Sequence, residues 1–402
     1  MPLVAFLWIA FALNYVDRQM VYSMFPALKA DLGFAGAKLG LIGSVFMWVY
    51  TLSMPVAGRM ADLFRKDVML VSSLVLWSAA TLGCGLAGSE NAFLFWRGVM
   101  GITESLYYPT AMVAIANYYP EIARSRALGI HQSAQFVGVM AGGWYGGWAA
   151  DHTGWRSAFT VAAVVGILYS AVLWWGVKGV GMSDKKEEPR AGAGRAGAVG
   201  ALLASRCYLA ICLGFAAYVA ILWIFLAWYP TFLQERFGLS MTDSGWNATV
   251  FVQLSQVAGI LGGGWLTDRL RTRWRPARLY MAALGVFGSA PFAYWTFSAS
   301  SLNEARLYSA CFGLFGGLLA TNAFAAAYDV IRKENRGLGG ALVNMTGGIS
   351  SGVMIYMAGI WKETVGFAGM VVWMMVVSLV CGAVLAGVAV ARYKQECDSS
   401  SL

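Results

Sequence analysis

Residues 3–28 read LVAFLWIAFALNYVDRQMVYSMFPAL, an apolar stretch long enough to cross a bilayer as a helix. Its interior contains the polar run Asn14-Tyr15-x-Asp17-Arg18-Gln19. Ionised side chains are costly inside hydrocarbon, so they normally face a water-filled cavity and take part in moving a solute or an ion. Asp17 and Arg18 are therefore the first candidates for functional residues.

The whole chain has the composition of a membrane protein. Of its 402 residues, 59% are hydrophobic and only 12% are charged, whereas soluble domains contain about 25% charged residues. Apolar stretches of roughly 20 residues, the length that spans about 30 Å of hydrocarbon as a helix, recur along the sequence. We predict twelve transmembrane helices, at approximately 3–28, 37–60, 67–88, 91–118, 126–150, 156–177, 206–234, 244–266, 278–298, 303–328, 337–360 and 367–391.

The positive charge of the chain indicates its orientation in the membrane and not nucleic acid as a partner. The net charge is +9, and most of the 29 Lys and Arg fall in connections on the same side as the N-terminus. Cytoplasmic loops carry such an excess in membrane proteins. We expect a multi-pass protein of the cell (inner) membrane, surrounded by lipid and monomeric, with cytoplasmic N- and C-termini.

The sequence divides into two similar halves. A hydrophilic connection at 178–205 separates an N-terminal half, residues 1–177, from a C-terminal half with a short cytoplasmic tail, residues 206–402. Two landmarks repeat between the halves at nearly equal offsets: Gly58-x-x-x-Asp62 with Gly264-x-x-x-Asp268, and Arg126 with Arg336. Duplicated halves usually enclose a site near the bilayer midplane and expose it alternately to each side. We predict an all-α membrane protein of two pseudo-symmetric six-helix halves.

The repeated motif predicts a gate at the cytoplasmic rim. Gly58 permits close helix approach, and Asp62 stands near the basic Arg65. We expect these residues and Asp268 to make inter-helix ion pairs that hold one conformation and break in the other. The alternative is a solvated turn that only follows the positive-inside bias.

The fourth span carries a second pair of charges, Arg97 and Glu104. Their separation of two helical turns places them on one face, about 10 Å apart along the axis. At about 1.5 Å per residue, Arg97 and Arg18 lie at similar depths, roughly 6 and 8 Å below the outer edge of the hydrocarbon. Two guanidinium groups that converge on a cavity suit a carboxylate, which each can bind bidentately.

The two carboxyl groups of these spans, Asp17 and Glu104, predict proton coupling. The protonation of a buried carboxyl depends on desolvation and on nearby arginines, and therefore on whether an anion occupies those arginines. The alternative is that Asp17 with Arg97, or Arg18 with Glu104, only neutralise each other and brace the bundle.

Catalytic chemistry is not indicated. The six cysteines and two histidines, His131 and His152, show neither metal-ligand spacing nor a catalytic triad. We expect no enzyme activity, no catalytic residue, no metal and no cofactor, with the proton as coupling ion.

Polar and aromatic motifs extend over the whole chain. They are Asn14-Tyr15-x-Asp17-Arg18, Phe46-x-Trp48-x-Tyr50, Arg97-x6-Glu104 followed by Tyr108-Pro109, Tyr119-Pro120-Glu121, Gln135-Phe136-Val137-Gly138, Trp228-Tyr229-Pro230-Thr231, and Asn344 with Gly347-Gly348. This set resembles the major facilitator superfamily, and within it the anion:cation symporter family, which includes bacterial sugar-acid transporters and vertebrate organic-anion transporters. One departure is Leu63, where the superfamily motif usually has a basic residue.

The resemblance implies two groups of site residues. They are Arg18, Arg97, Gln135 and Asn344 for substrate binding, and Asp17 and Glu104 for proton coupling. As polar residues within the spans, Tyr15 and Tyr50 are further candidates for substrate binding. We therefore predict a secondary transporter that imports a small organic carboxylate, such as a sugar acid or a monocarboxylate, together with protons by alternating access. The alternatives are a spinster-like lipid or amphiphile transporter of the same superfamily, and a non-transporting membrane protein.

Overall fold

The computed structural model describes residues 2–179, 195–274, 276–393 and 395. Within these ranges the chain is almost entirely α-helical and contains no β-strand. Most of the predicted linker, residues 180–194, and most of the tail beyond residue 393 lie outside the described residues.

The helices of the described residues follow one another with short connections. They are α1 Pro2–Ser23, α2 Phe25–Leu32, α3 Gly36–Leu63, α4 Lys66–Gly85, α5 Glu90–Ser105, α6 Tyr107–Tyr118, α7 Glu121–His152, α8 Trp155–Gly179, α9 Arg195–Ala204, α10 Arg206–Phe237, α11 Met241–Arg271, α12 Ala277–Phe297, α13 Leu302–Val330 and α14 Arg336–Ala391. Each of the twelve predicted spans is helical. Seven of the helices are by themselves long and apolar enough to cross a membrane.

Four predicted spans have different boundaries from those expected. The first span is divided because α1 ends at Ser23 and Pro26 lies in the first turn of α2. The fourth is divided into α5 and α6, because Pro109 has no N–H to donate to the carbonyl of Ser105. The last two spans form α14, which is broken at Gly366, whose φ of 70° is readily adopted only by glycine.

One compact unit comprises Met1–Arg190 and Leu226–Thr249. In it α1 packs against α7 and α8, α4 packs against α5 and α8, and α3 packs against α5. The approach of α1 and α7 is close: a Cβ added at Gly146 would lie 2.1 Å from the Met20 carbonyl oxygen. This packing brings the polar face of α1 next to α5 and α6.

The second unit comprises Ala191–Phe225 and Val250–Leu402. Its helix α12 packs against α13 and α14, and a capping box between Ser301 and Glu304 begins α13. Asp329, at the end of α13, accepts hydrogen bonds from Arg278 and from the Tyr393 hydroxyl. Residues 226–249 belong by their contacts to the first unit, although the sequence repeat places them in the second half.

Candidate functional site

The centre of the site is an ion pair between Arg18 of α1 and Glu104 of α5. The Arg18 Nε donates to Glu104 Oε2 at 2.6 Å, and their side chains are only 5% and 0% exposed. The other carboxylate oxygen, Oε1, is buried without a hydrogen-bond partner. A buried pair of this kind is costly when either partner is removed alone, and it is available to a competing charged group that can take the place of one partner.

Aromatic rings surround the Arg18 guanidinium. Its central carbon lies 4.3 Å from the ring centroid of Tyr50, 5.0 Å from that of Tyr15 and 5.1 Å from that of Phe46. Such contacts stabilise the cation while its N–H groups remain available to acceptors. The predicted residues Tyr15 and Tyr50 therefore lie with Arg18 and Glu104 in one cluster.

The second arginine, Arg97, is fully buried beside the same Phe46 ring, at 4.8 Å. Its Nε donates to the Ile42 carbonyl at 3.2 Å and its Nη1 contacts the Met100 sulfur at 3.4 Å. Its Nη2 has no hydrogen-bond partner, and no described carboxylate lies within salt-bridge distance of it. Arg18 and Arg97 thus contact the same ring, and the second retains an unused donor.

Two further polar residues of α1 are buried near this ion pair. Asp17 is 4% exposed, and the charges of Glu104 and Arg97 act on it electrostatically. Asn14 is 1% exposed, and neither its amide oxygen nor its amide nitrogen has a hydrogen-bond partner. The sequence analysis gave no role to Asn14 or to Phe46. The available signal was that both residues belong to motifs of the family resemblance, Asn14-Tyr15-x-Asp17-Arg18 and Phe46-x-Trp48-x-Tyr50.

The other two predicted binding residues lie on α7 and α14. Gln135, on α7, is half-buried one turn before Gly138, where the backbone packs against Tyr15. Asn344, on α14 of the second unit, is exposed and donates to the Gly340 carbonyl at 3.4 Å. Their contact with substrate stays a prediction.

The predicted gate residues lie at helix ends. Gly58 is half-buried and Asp62 is exposed near the end of α3, and Asp268 is exposed near the end of α11 in the second unit. Arg65 binds Asp67 at the start of α4, with Nη2 and Oδ2 2.7 Å apart. Arg65 thus forms an ion pair with a carboxylate two residues away, and the gating role of the motif remains a prediction.

The cluster can bind an anion and exchange a proton. Arg18 and Arg97 supply guanidinium donors, Glu104 and Asp17 supply carboxyl groups, and all four side chains are buried. A substrate carboxylate that displaced Glu104 from Arg18 would leave Glu104 without its cation, a condition that favours its protonated form.

Comparison with known proteins identifies the family. The model of the Major Facilitator Superfamily matches residues 7–354 and 222–396. The chain belongs to this superfamily. It is a multi-pass membrane transporter and not an enzyme, and its twelve transmembrane helices are those of the major facilitator fold.

Relatives of known name are transporters of organic acids. A D-galactonate transporter of Escherichia coli O6:H1 is 24% identical, over 93% of this chain and 92% of its own length. The protein named "Probable sulfoacetate transporter SauU" of Cupriavidus necator is 30% identical, over 88% and 85%. A hexuronate transporter of Bacillus subtilis is 28% identical, over 67% and 64%.

Solved structures of the superfamily share the fold. A bacterial homologue of the human lysosomal transporter Spinster, in an inward-facing and unoccupied conformation, has a TM-score of 0.78 at 19% identity, covering 99% of this chain and 97% of that one. A D-xylose-proton symporter has a TM-score of 0.72 at 13% identity, covering 96% of both chains. At such identities the likeness concerns the fold alone.

Proposed function

We propose that this superfamily member is a proton-coupled symporter of a small organic carboxylate, such as a sugar acid or a monocarboxylate. The observation that carries the proposal is the buried Arg18–Glu104 pair, whose cation can bind a carboxylate and whose acid can take a proton. The names of the relatives, which include galactonate, hexuronate and sulfoacetate transporters, support an organic anion as substrate.

Coupling in this scheme is an exchange of partners at Arg18. The substrate carboxylate binds the Arg18 guanidinium, and Glu104 loses its counter-ion. Because an isolated carboxylate is costly in a buried site, Glu104 binds a proton as the substrate enters. Arg97, with its unused Nη2 donor, contributes a second interaction with the substrate, and Asp17 beside it is a second proton carrier.

The transport cycle is alternating access by two six-helix halves, residues 1–177 and 206–402, joined by the linker 178–205. The motif residues Gly58, Asp62, Arg65 and Asp268 act in gating. The protein works as a monomer in the cell (inner) membrane, with both termini in the cytoplasm. It needs no cofactor and no metal, and its coupling ion is the proton.

The alternative of a lipid or amphiphile transporter receives support only at the level of fold. The Spinster homologue has a similar fold but only 19% sequence identity. The relatives named above that align over most of this chain carry the names of small acids. A small carboxylate is therefore the favoured substrate class.

The test is flux through purified protein in liposomes that enclose a pH-sensitive dye. D-Galactonate, a hexuronate, sulfoacetate and a lysolipid are each added outside. An anion that enters with protons acidifies the lumen, and collapse of the proton gradient prevents accumulation. Uptake of an anion without acidification would contradict the coupling, and transport of the lysolipid alone would contradict the substrate class.

A further inference from the structure

His131 of α7 is a buried titratable residue that the coupling scheme does not use. It is 0% exposed. Its ring is stacked on Phe11 of α1, with 4.5 Å between centroids and 17° between planes, and it is nearly parallel to the Tyr107 ring of α6, at 6.1 Å. The imidazole therefore occupies a stacked position that a phenyl ring could fill.

The hydrogen bonds of Tyr107 determine the tautomer of His131. The Tyr107 hydroxyl donates its single proton to the Leu7 carbonyl at 2.6 Å. Its contact with His131 Nε2, at 3.3 Å, then requires Nε2 to carry the hydrogen and to donate it. The other nitrogen, Nδ1, is left as a bare acceptor, and it is buried without a hydrogen-bond partner.

A second unpartnered acceptor lies next to His131 in the sequence. Gln132 Nε2 donates to the Tyr108 hydroxyl at 3.1 Å, while Gln132 Oε1 is buried without a partner. The neutral state of the site thus contains two adjacent acceptors and no donor for either. A proton on His131 Nδ1 would supply the missing donor.

His131 and its polar neighbours lie near the Arg18–Glu104 pair. Tyr107 begins α6 directly after α5 ends, three residues beyond Glu104. Phe11, on which His131 stacks, also contacts Tyr15 at 5.1 Å, and Tyr15 contacts the Arg18 guanidinium. His131 therefore lies toward the N-terminal end of α1 from the ion pair, which is the cytoplasmic side in the proposed orientation.

Packing does not explain a histidine here, because a buried nitrogen without a partner costs free energy that an apolar ring of the same shape would not. The titratable groups that face the imidazole are the phenols of Tyr107 and Tyr108 from α6 and, behind Phe11, that of Tyr15 from α1. No salt bridge between described residues includes His131. Burial without a counter-ion favours the neutral imidazole, so His131 holds an extra proton only transiently.

We propose that His131 is a proton-transfer residue between Glu104 and the cytoplasm, an inference that rests on the proposed proton coupling. When the substrate leaves and Glu104 pairs again with Arg18, the Glu104 O–H bond breaks and, through intervening water, an N–H bond forms at His131 Nδ1. The products are a carboxylate and an imidazolium. The imidazolium then returns the proton to cytoplasmic water and becomes neutral again.

The test compares two His131 variants with a matched control. His131→Gln keeps hydrogen-bonding groups but cannot carry a proton, and His131→Phe keeps the stack. His152, the other histidine, is exposed at the far end of α7, so His152→Gln is the control. Anion exchange in liposomes should stay within about twofold of the unmodified protein in both His131 variants, while proton-driven uphill uptake falls at least about tenfold. The control should retain both activities.

A second measurement does not depend on how the variants fold. With only two histidines in the chain, histidine-selective ¹⁵N labelling gives ring signals that His152→Gln assigns. We expect the neutral pattern at pH 7 with the hydrogen on Nε2, which leaves Nδ1 free to accept a proton. A neutral ring with its hydrogen on Nδ1 would overturn the proposal, because the nitrogen assigned to proton transfer would already be occupied.

Two transport outcomes in the His131 variants would also overturn the proposed role of His131, and a third outcome would instead overturn the proposed proton coupling. Uphill uptake that is unchanged in His131→Gln and His131→Phe removes the residue from proton transfer. Equal loss of exchange and uphill uptake in both variants assigns it a structural role instead. If the unmodified protein moves the anion without protons, the proposed coupling fails first, and this result is distinguishable because it does not depend on any His131 variant.

Discussion

Arg18 Nε donates to Glu104 Oε2 at 2.6 Å, and this is the salt bridge of the described residues whose two side chains are most fully buried. Its surroundings are aromatic, and Glu104 Oε1 has no partner. The aromatic rings therefore stabilise the Arg18 cation independently of Glu104, whereas the Glu104 carboxylate depends mainly on Arg18 for its counter-charge. A ligand that binds the Arg18 guanidinium in place of Glu104 consequently changes the protonation of Glu104.

Glu104→Gln should separate transport from coupling. The amide keeps the size of the side chain but cannot carry a proton, so proton-driven accumulation should be lost while anion exchange continues. Both activities are measured in liposomes, with and without an imposed proton gradient. Undiminished uphill uptake in Glu104→Gln would show that another group carries the coupled proton.

Arg18→Lys and Arg97→Lys should each weaken substrate binding, because an ammonium cannot reproduce the planar pair of guanidinium donors. The loss of a charge-assisted interaction of about 1.5–3 kcal/mol corresponds to roughly 10- to 150-fold in Kd. Binding of the identified anion is measured by calorimetry, with the exposed Arg273→Lys as a control. Unchanged affinity in Arg97→Lys would restrict the binding role to Arg18.

The sequence was sufficient to predict the spans and to identify the charged residues of the site, but the Arg18–Glu104 ion pair was considered there only as the alternative that braces the bundle. Hydrophobic stretches of membrane length gave twelve helices, each of which is found. Arg18 and Glu104 were identifiable because charged residues are rare inside such stretches. Counting rise per residue placed Arg18 and Arg97 at similar depths, whereas the pairing of Arg18 with Glu104 depends on how α1 packs against α5.

Other features depend on tertiary packing and were not predictable. The rotation of α3 against α5 places the Phe46 ring beside both Arg18 and Arg97, and neither hydropathy nor spacing indicates which aromatic side chain does so. His131 was judged only for metal binding and for a catalytic triad. Its unpartnered Nδ1 becomes apparent only when the Tyr107 hydrogen bonds are known.

Gly146→Ala should destabilise the first unit, because an added Cβ would lie 2.1 Å from the Met20 carbonyl oxygen. Overpacking of this kind costs about 1–3 kcal/mol. Gly129, on the same helix, has no atom within 4 Å of an added Cβ, so Gly129→Ala should be neutral or slightly stabilising. Thermal unfolding in detergent measures both. Equal melting temperatures would mean that α1 and α7 can separate without cost.

Asp31, at the end of α2, should contribute to stability in a pH-dependent way. Hydrogen bonds from Arg156 and Trp155 lower the pKa of this carboxyl. A lowered pKa in the folded state stabilises the protein above the pKa of the unfolded chain, about 3.9, and the contribution is lost as the pH falls through the folded value. Because Asp31 and Arg156 are each 45% exposed, the effect should be small. Asp31→Asn should lower the melting temperature at neutral pH but not near pH 3, and an equal decrease at both pH values would contradict the assignment.

Asp151, at the end of α7, should hold the start of α11 through backbone hydrogen bonds. Its Oδ2 accepts from the Thr242 amide at 2.8 Å and from the Thr242 hydroxyl at 2.6 Å, and Oδ1 accepts from the Met241 amide at 3.3 Å. All three residues belong to the first unit. Loss of a side chain that caps a helix N-terminus costs about 1 kcal/mol, and the charge contributes part of this.

Two Asp151 variants remove these contributions to different extents. Asp151→Ala removes every hydrogen bond, whereas Asp151→Asn removes the charge and one acceptor oxygen and keeps the other oxygen as an acceptor. We expect the melting temperature to decrease in the order unmodified protein, Asp151→Asn, Asp151→Ala. Because α11 then begins without its cap, its first amides should also exchange hydrogen faster in Asp151→Ala. Exchange that is unchanged at Met241 and Thr242 would show that these amides are protected by packing and not by the carboxylate.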